Sequence, residues 1–418
     1  MMVRLLSLSM ALLSSAAVFG RGVFEVKSFG AKGDGLTKDT AAVQAAVDAA
    51  NAAGGGEVLL EAGTYLCGTI WLKSNVDFHL GPGAVLKGSA DPADYNRADA
   101  YQQNWSSPRN SENQSGGHLL IALEQHDITV RGPGKIDGSG LSFATYPDGG
   151  ERYHQRDYEW RPGQMFHIVE CDDVRISDVK FTNSSYWNCF IHGCRHVFVR
   201  GVRVDTPVAP HILNGDGFTI DACMFVTISD CQIVAYDDGL TIRCDQKRLK
   251  RHTDCANITV ENCTISSKMN AIRVGVGDGF IHDVVFNNIV VFNTRTAINF
   301  CSSWGMYGTD IRRVRFNNFS IESIDFLRMH QNGKVTPVED IYFSNVSGYV
   351  RQRSRIWAKE GYPFRNIKLR GIDLPQGIEV LNVEGFSLED SALKQIPLSP
   401  EATASRNRDL REGRDILY

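Results

Sequence analysis

The stretch Val226-Thr227-Ile228-Ser229-Asp230-Cys231 carries a six-residue pattern that recurs along most of this 418-residue chain. Each copy has two apolar residues separated by any residue, then two further positions of restricted type and usually another apolar residue. From the second copy onward the steps between copies are 23, 29, 32, 26, 30, 27 and 26 residues. Repeats of this length are typical of solenoids, propellers and arrays. The copies begin at Ile128, Val174, Val197, Val226, Ile258, Val284, Val314, Ile341 and Ile367.

The fifth position of the pattern distinguishes between these architectures, because it is always Gly, Asn or Asp. These residue types tolerate a left-handed backbone, so every unit is expected to turn at the same place. The alternating apolar positions predict a strand in each unit, and the repeats are too short for a four-stranded propeller blade. The pattern therefore predicts an all-β fold, a single-stranded right-handed parallel β-helix. The fifth positions are Gly132, Asp178, Gly201, Asp230, Asn262, Asn288, Asn318, Asn345 and Gly371.

The ten cysteines are interpreted through the same repeat. Successive coils stack about 4.8 Å apart, so equivalent residues form ladders. Cys231 and Cys263 share the slot of Val179 and Val202, which predicts free thiols in the core. Two other pairs, Cys244 with Cys255 and Cys189 with Cys194, are candidate disulfides, with buried free cysteine as the alternative. No Cys-x-x-Cys pair exists, which argues against a zinc site.

The N-terminus has the features of a secretory signal: Arg4 precedes an uncharged, largely apolar stretch over residues 5–19, with a cleavage site expected near Ala16-Ala17 or Phe19-Gly20. We predict a signal peptide over residues 1–20 and a secreted or periplasmic protein. Residues 21–387 are predicted to form the β-helix domain and residues 388–418 a loose polar tail. An alanine-rich capping helix over residues 41–53 is expected to close the first coil. Residues 91–117 and 141–163 interrupt the repeat and are expected to form long loops that wall a groove.

Composition excludes several classes of protein. With 43% hydrophobic residues the chain can build a large core, so extensive disorder is excluded. A formal net charge of -4 argues against nucleic acid as the main partner. Beyond the N-terminal stretch, no segment is long and apolar enough to span a membrane. A monomer without a membrane partner is expected.

Two adjacent repeats carry an unusual set of carboxylates, in Asn214-Gly215-Asp216-Gly217 and Tyr236-Asp237-Asp238-Gly239. Aligning the Phe-Thr-Ile and Leu-Thr-Ile segments that follow them places Asp216 over Asp238, with Asp237 beside it. Carboxylates so close repel each other, and at least one is expected to have a raised pKa. A protonated acid beside an ionised base suits glycosidic cleavage. Purely structural Asp-Gly turns and a calcium site remain alternatives.

These motifs resemble those of glycoside hydrolase family 28, the polygalacturonase-like enzymes, and the resemblance covers roughly residues 24–374. The family's Asn-Thr-Asp-Gly motif looks like Asn214-Gly215-Asp216-Gly217, and its Asp-Asp motif looks like Asp237-Asp238. The resemblance implies an inverting hydrolase of pectic, galacturonate-containing polysaccharide. In that mechanism Asp237 is the general acid, and Asp216 and Asp238 hold and activate the attacking water. The resemblance implies no metal and no other cofactor.

The chain departs from the family in the next two coils. Where Gly-His-Gly is expected, the sequence has Met269-Asn270-Ala271, and Asn270 falls nearest the histidine's place. Where Arg-Ile-Lys is expected, it has Ala297-Ile298-Asn299, so the usual cationic grip on a galacturonate carboxylate is missing. An acidic pectic glycan remains the expected partner, and a rhamnogalacturonan-type or other branched chain stays open. The residues that could restore the charge, unless they are solvated outer-face residues, are Arg243, Lys268 and Arg273.

Weaker candidates complete the predicted site. Asn214 and His211 are expected to line the cleft, and Trp304 and Tyr307 to stack on a sugar ring, although aromatic residues also anchor loops. Two other functions remain open. A polysaccharide lyase on the same scaffold would use calcium and a basic residue, and a carbohydrate-binding solenoid or adhesin would carry out no catalysis.

Overall fold

The computed structural model describes residues 22–96, 115–145, 160–207, 212–304, 307–331 and 334–412. Helix α1 spans Thr40–Ala52, helix α2 spans Pro400–Glu412, and three short 3-10 helices lie at Val26–Phe29, Pro92–Asp94 and Gly140–Phe143. The strands, in chain order, are β1 Gly22–Glu25, β2 Asp34–Lys38, β3 Gly56–Leu60, β4 Gly63–Cys67, β5 Ile70–Trp71, β6 Val76–Leu80, β7 Ala84–Gly88, β8 Leu120–Leu123, β9 His126–Arg131, β10 Lys135–Asp137, β11 Phe166–Val169, β12 Asp172–Ser177, β13 Lys180–Thr182, β14 Cys189–His192, β15 Arg195–Arg200, β16 Arg203–Asp205, β17 Phe218–Asp221, β18 Met224–Ser229, β19 Gln232–Ala235, β20 Leu240–Cys244, β21 Cys255–Glu261, β22 Thr264–Ser267, β23 Asn270–Gly277, β24 Phe280–Cys301, β25 Ser303–Trp304, β26 Tyr307–Gly308, β27 Asp310–His330, β28 Val338–Val350, β29 Ser354–Trp357, β30 Phe364–Asp373, β31 Ile378–Leu381, β32 Val383–Glu384, β33 Ser387–Glu389 and β34 Gln395–Ile396.

The strands stack into three parallel ladders that wrap one core, so the predicted parallel β-helix is confirmed. All the described strands except β25 and β26 pair with a counterpart in a neighbouring coil, as β11 does with β14 and β14 with β17. Long strands such as β24 and β27 bend at the corners and so contribute to more than one ladder. The ladder that carries the acidic motifs, here named sheet I, contains β5, β8, β11, β14, β17, β20, β23, the ends of β24 and β27, β29, β31 and β34.

The predicted corner is present in every copy of the repeat. All nine fifth-position residues have a positive φ, from 53° at Asn345 to 109° at Gly132. Side-chain amides also link the corners of successive coils. The Nδ2 of Asn288 donates to the Oδ1 of Asn262 at 3.2 Å, and the Nδ2 of Asn318 donates to the Oδ1 of Asn288 at 3.1 Å. The corner asparagines therefore both adopt the left-handed backbone and satisfy one another's polar groups.

The core is a stack of apolar side chains, and the cysteines belong to it. The rings of Phe286, Phe316 and Phe343 stack in neighbouring coils, with centroids 4.8 and 4.9 Å apart. Cys231 and Cys263 are buried and free, as predicted. The two candidate disulfides are wrong, because Cys189, Cys194, Cys244 and Cys255 are also free and buried. The thiols of Cys194 and Cys244 instead donate to the carbonyls of His192 and Thr253, within their own coils.

Both ends of the solenoid are covered in the described part of the chain. Helix α1 buries Val43, Ala46, Val47 and Ala50 against the first coils, as expected for a cap. At the other end, the expectation of a loose tail is wrong: β33 and β34 extend the sheets, and α2 follows them. Leu410 is buried with Trp357 and Leu381. This gives α2 an apolar contact that its polar composition does not predict.

No helix in these described ranges is long and apolar enough to cross a membrane. The predicted signal peptide lies outside the described residues. The same is true of most of the loops expected within residues 91–117 and 141–163.

Candidate active site

The three aspartates meet at the start of two neighbouring strands of sheet I. In the register of β17 and β20, Phe218 pairs with Leu240, so Asp216 and Asp238 occupy equivalent places one strand apart. The amide of Gly217 donates to the carbonyl of Asp238 at 2.9 Å. Asp216 and Asp238 are buried, and Asp237 beside them is half-buried. The structure therefore brings together the three residues that the sequence alignment stacked.

A glycine after each stacked aspartate allows the close approach of these coils. A Cβ atom at Gly217 would lie 2.3 Å from the carbonyl oxygen of Gly239, and one at Gly239 would lie 2.7 Å from that of Ala271. Real Cβ contacts are not this short, so any side chain here would push the strands apart. The glycine of each Asp-Gly pair is thus required by packing between coils.

Two donors from the next coil hold the carboxylate of Asp238. The Nδ2 of Asn270 donates to its Oδ1 at 2.6 Å, and the Nη1 of Arg273 donates to its Oδ2 at 2.6 Å. Asn299 in the following coil donates to the Oδ1 of Asn270 at 3.0 Å and so orients that amide. Burial lowers the pKa of Arg273, but the adjacent Asp238 more than offsets this and the net direction is upward. One neutral and one cationic donor therefore fix the orientation of the Asp238 carboxylate.

Asn214 has a structural partner that sequence reasoning did not find. Its φ is 56°, and its Oδ1 accepts a hydrogen bond from the Nη2 of Arg161 at 3.1 Å. Arg161 is buried, donates to the carbonyls of Ser185 and Leu213 at 3.0 Å each, and stacks on Tyr186. Arg161 therefore fixes the turn that leads into Asp216, from a position more than 50 residues away in sequence.

Arg243 is neither a solvated side chain nor a cation open to the cleft. Its Nε lies 3.2 Å from the Oδ2 of Asp221, both side chains are almost fully buried, and the guanidinium lies 5.2 Å from the ring centroid of Trp187. Burial raises the pKa of Asp221, although Arg243 acts in the opposite direction. Arg243 is thus the counter-ion of a buried carboxylate on the ladder.

The remaining predicted site residues are Lys268, Trp304, Tyr307 and His211. Lys268 is exposed in the turn between β22 and β23, next to Asn270. Trp304 and Tyr307 pair through their backbones in the antiparallel strands β25 and β26, and their side chains lie outside the described part of the structure. His211 also lies outside the described residues.

Sheet I carries further charged residues that the repeat analysis missed. In the register of sheet I, Arg328 and Arg355 continue the row of equivalent positions that begins with Arg273 and Asn299. His330 and Trp357 are paired in a second row of the same sheet. The Nε and Nη2 of Arg328 donate to the Oδ2 of Asp325 at 2.9 and 2.5 Å. Aligning the Leu-Arg-Met and Ser-Arg-Ile-Trp segments on the later coils of sheet I would have found them. In the residues that the structure describes, no group of three or more His, Cys, Asp or Glu could hold a metal ion.

Comparison with known proteins agrees with this architecture. The sequence profile described as Glycosyl hydrolases family 28 matches residues 104–392. The chain belongs to this family. A second profile, described as Rhamnogalacturonase A/epimerase, pectate lyase-like, matches residues 23–115. The family predicted from the aspartate motifs is therefore confirmed.

Individual relatives of this family 28 chain are distant or local. A probable polygalacturonase of Vitis vinifera is 27% identical over 291 residues, which is 67% of this chain and 57% of that one. A mannuronan C5-epimerase, AlgE3 of Azotobacter vinelandii, is 56% identical over 145 residues, which is 31% of this chain and 7% of that one. The chain thus spans less than two thirds of the length of either relative.

Solved structures show the same fold. The exopolygalacturonase of Thermotoga maritima superposes with a TM-score of 0.64 at 19% identity, over 90% of each chain. The polygalacturonase of Erwinia carotovora superposes with a TM-score of 0.60 at 16% identity, over 87% of this chain and 93% of that one. At this level of identity the likeness establishes the right-handed parallel β-helix of the family 28 chain and nothing further.

Proposed function

We propose that this chain is a polygalacturonase-like hydrolase that cleaves the glycosidic bonds of pectic, galacturonate-containing polysaccharide with inversion. The observation that carries the proposal is the stacking of Asp216 on Asp238 in neighbouring strands, with Asp237 beside them. Membership of a glycosyl hydrolase family and the name of the Vitis vinifera relative support the reaction and the substrate class. An array of mutually repelling carboxylates is what acid-base hydrolysis needs, whereas a binding surface gains nothing from it.

The surroundings of the three carboxylates favour a division of roles. Both oxygens of Asp238 accept hydrogen bonds, one of them from a cation, so Asp238 is firmly oriented and suits the residue that holds the attacking water. Asp216 flanks the same water from the preceding coil and shares that task. Asp237 is the most exposed of the three and suits the general acid. Its proton goes to the glycosidic oxygen as the bond to the anomeric carbon breaks, while water attacks from the opposite face and loses a proton to the carboxylate pair.

We also propose that the protein acts outside the cytoplasm, as a monomer. The uncharged stretch over residues 5–19 after Arg4 supports export. Extracellular pectic polymers are too large to enter a cell, so an exported enzyme fits the proposed substrate. Cell fractionation and light scattering of the purified protein test the two points separately.

The test is incubation with a panel of pectic polysaccharides, with reducing ends and ultraviolet absorbance measured together. Hydrolysis releases reducing ends without a new absorbance, whereas a lyase creates an unsaturated, absorbing product. Chelation with EDTA should leave the activity intact, and loss of activity that calcium restores would indicate the lyase. No product from any substrate would indicate a carbohydrate-binding solenoid.

Asp237→Asn tests the assigned acid. We expect turnover to fall by about 10²- to 10⁴-fold, because one proton donor is lost, while affinity for the glycan is retained. Asp173→Asn is the matched control, since it is the same chemical change at an exposed side chain on β12, outside sheet I. Wild-type turnover in Asp237→Asn, or an equal loss in the control, would reject the role.

A further inference from the structure

The arginines of sheet I differ in whether a carboxylate already neutralises them. Arg243 is paired with Asp221, Arg273 with Asp238, and Arg328 with Asp325. Each of these three arginines has at least one nitrogen within 3.2 Å of its carboxylate partner. Their charge is therefore largely compensated inside the protein, and none is a strong candidate to bind an anionic sugar.

Arg355 on β29 is the exception among the described arginines of this ladder. It follows Arg328 directly in the register, and no described carboxylate lies within ion-pair distance of it. The carboxylate next along the ladder, Glu379, is approached instead by Arg353 at 3.7 Å and Arg406 at 3.8 Å. Arg355 is thus a half-buried cation that no described carboxylate pairs with at close range.

The surroundings of Arg355 keep its guanidinium in place without neutralising it. The guanidinium lies 5.4 Å from the ring centroid of Trp357, whose ring also lies 4.7 Å from the guanidinium of Arg406. Burial, and then the positive charge of Arg328, lower the pKa of Arg355, although the more distant Asp325 and Glu379 act in the opposite direction. An external anion would relieve both penalties, and a planar guanidinium binds a carboxylate in a bidentate manner.

We infer that Arg355 forms a subsite for the carboxylate of a uronic acid unit of the bound glycan, on the C-terminal side of the three aspartates. The inference rests on the proposed function for the identity of the ligand. Arg355 lies four strand steps beyond the coil of Asp238, through Arg273, Asn299 and Arg328, or roughly 19 Å along the solenoid axis. The subsite therefore holds a sugar several units away from the bond that is cleaved.

This placement gives a reason for the missing family motif. Asn299 stands in the coil where the Arg-Ile-Lys motif is expected, and it donates to Asn270. The free positive charge appears two coils further on, at Arg355. Recognition of the acidic group by Arg355 thus takes place away from the reaction centre. This contact does not require the sugar beside the cleaved bond to carry a charge.

The test is affinity electrophoresis of the full chain carrying Asp237→Asn, with polygalacturonate or its fully methyl-esterified form in the gel. Adding Arg355→Gln should weaken binding of polygalacturonate about tenfold, since a charge-assisted pair is lost, and leave binding of the ester unchanged. Arg315→Gln is the matched control. Arg315 lies on β27 before the corner at Asn318, is exposed, and makes the same change in charge.

The outcomes are distinct. Equal binding of polygalacturonate with and without Arg355→Gln, or an equal loss for the acid and the ester, would overturn the subsite, as would a matching loss in Arg315→Gln. If Arg355→Gln does not fold, Arg355→Lys decides the question, because it should weaken binding of the acid form alone by about two- to threefold. The proposed function fails separately, if the unaltered chain binds polygalacturonate but releases no reducing ends from it.

Discussion

At the scale of single residues, Asp238 is distinguished from its neighbours by the donors that reach it. Asp216 comes from the preceding coil and Asp237 from its own, whereas Arg273 and Asn270 approach from the following coil. Arg273 stands on a strand position that faces Thr241 in the register, so its side chain reaches back across one coil to the carboxylate. We therefore regard Arg273 as a positioning residue for the water-holding carboxylate.

Arg273→Gln should lower turnover by at least about tenfold while the affinity for the glycan changes little. Arg273→Lys should restore most of the lost turnover because it restores the charge beside Asp238. The measurement is kcat and KM of both variants. A variant with unchanged kcat and a raised KM would instead make Arg273 a substrate clamp.

At the scale of the repeating element, the corner after each sheet strand determines whether the coils stack. Asn288 adopts a φ of 55° and both donates to and accepts from the asparagines of adjacent coils. These bonds are exposed to solvent, so each adds little to stability. The larger effect comes from the backbone, since the left-handed region is sterically costly for β-branched side chains.

Asn288→Val should lower the free energy of unfolding by about 1–3 kcal/mol, because the backbone is strained and two hydrogen bonds between side-chain amides are lost. Asn288→Gly is the control: it loses the same bonds but tolerates the backbone, and we expect it to cost less than about 1 kcal/mol. Urea unfolding curves measure both. Equal midpoints for the two variants would show that backbone conformation is not what asparagine provides there. Turnover should be unaffected in either variant.

At the scale of the whole molecule, the ladders bury histidines in their neutral form. Burial, and then the positive charges of Arg328 and Arg273, lower the pKa of His330 to about 3. Burial likewise lowers the pKa of His167, with smaller contributions from His118 and His192. The unfolded chain takes up these protons near pH 6.5, well before the folded chain does. The stability from these groups is therefore complete above pH 6.5 and is lost as the pH falls from there towards 3.

Between pH 7.5 and 5.5 the free energy of unfolding should decrease by up to about 1.4 kcal/mol for each of these two histidines. Urea midpoints at the two pH values measure the decrease. His330→Asn should remove about half of the pH dependence, and His167→Asn should remove a similar part. A stability that stays constant over this range would contradict the burial of neutral imidazoles.

The coil, its corners and the stacking of the catalytic candidates could all be predicted from the amino-acid sequence. The fifth position of the repeat requires a left-handed backbone that few residue types adopt. Gly, Asn and Asp therefore recur there at regular intervals in the sequence. The same register carried Asp216 onto Asp238, because the two aspartates precede matching strands of adjacent coils. Family membership followed from these motifs.

The tertiary structure alone decided which charges are used and which are free. Arg243, Lys268 and Arg273 looked equivalent in sequence, yet Arg243 neutralises buried Asp221 and Arg273 holds Asp238, while Lys268 is exposed. Arg161 donates a hydrogen bond to Asn214 from a loop outside the repeat. Leu410 packs helix α2 against the solenoid, although the sequence of this segment predicts a polar tail. The physical reason is that a backbone corner is a local property of one residue. A side-chain ion pair depends on the burial and geometry of groups on several coils at once.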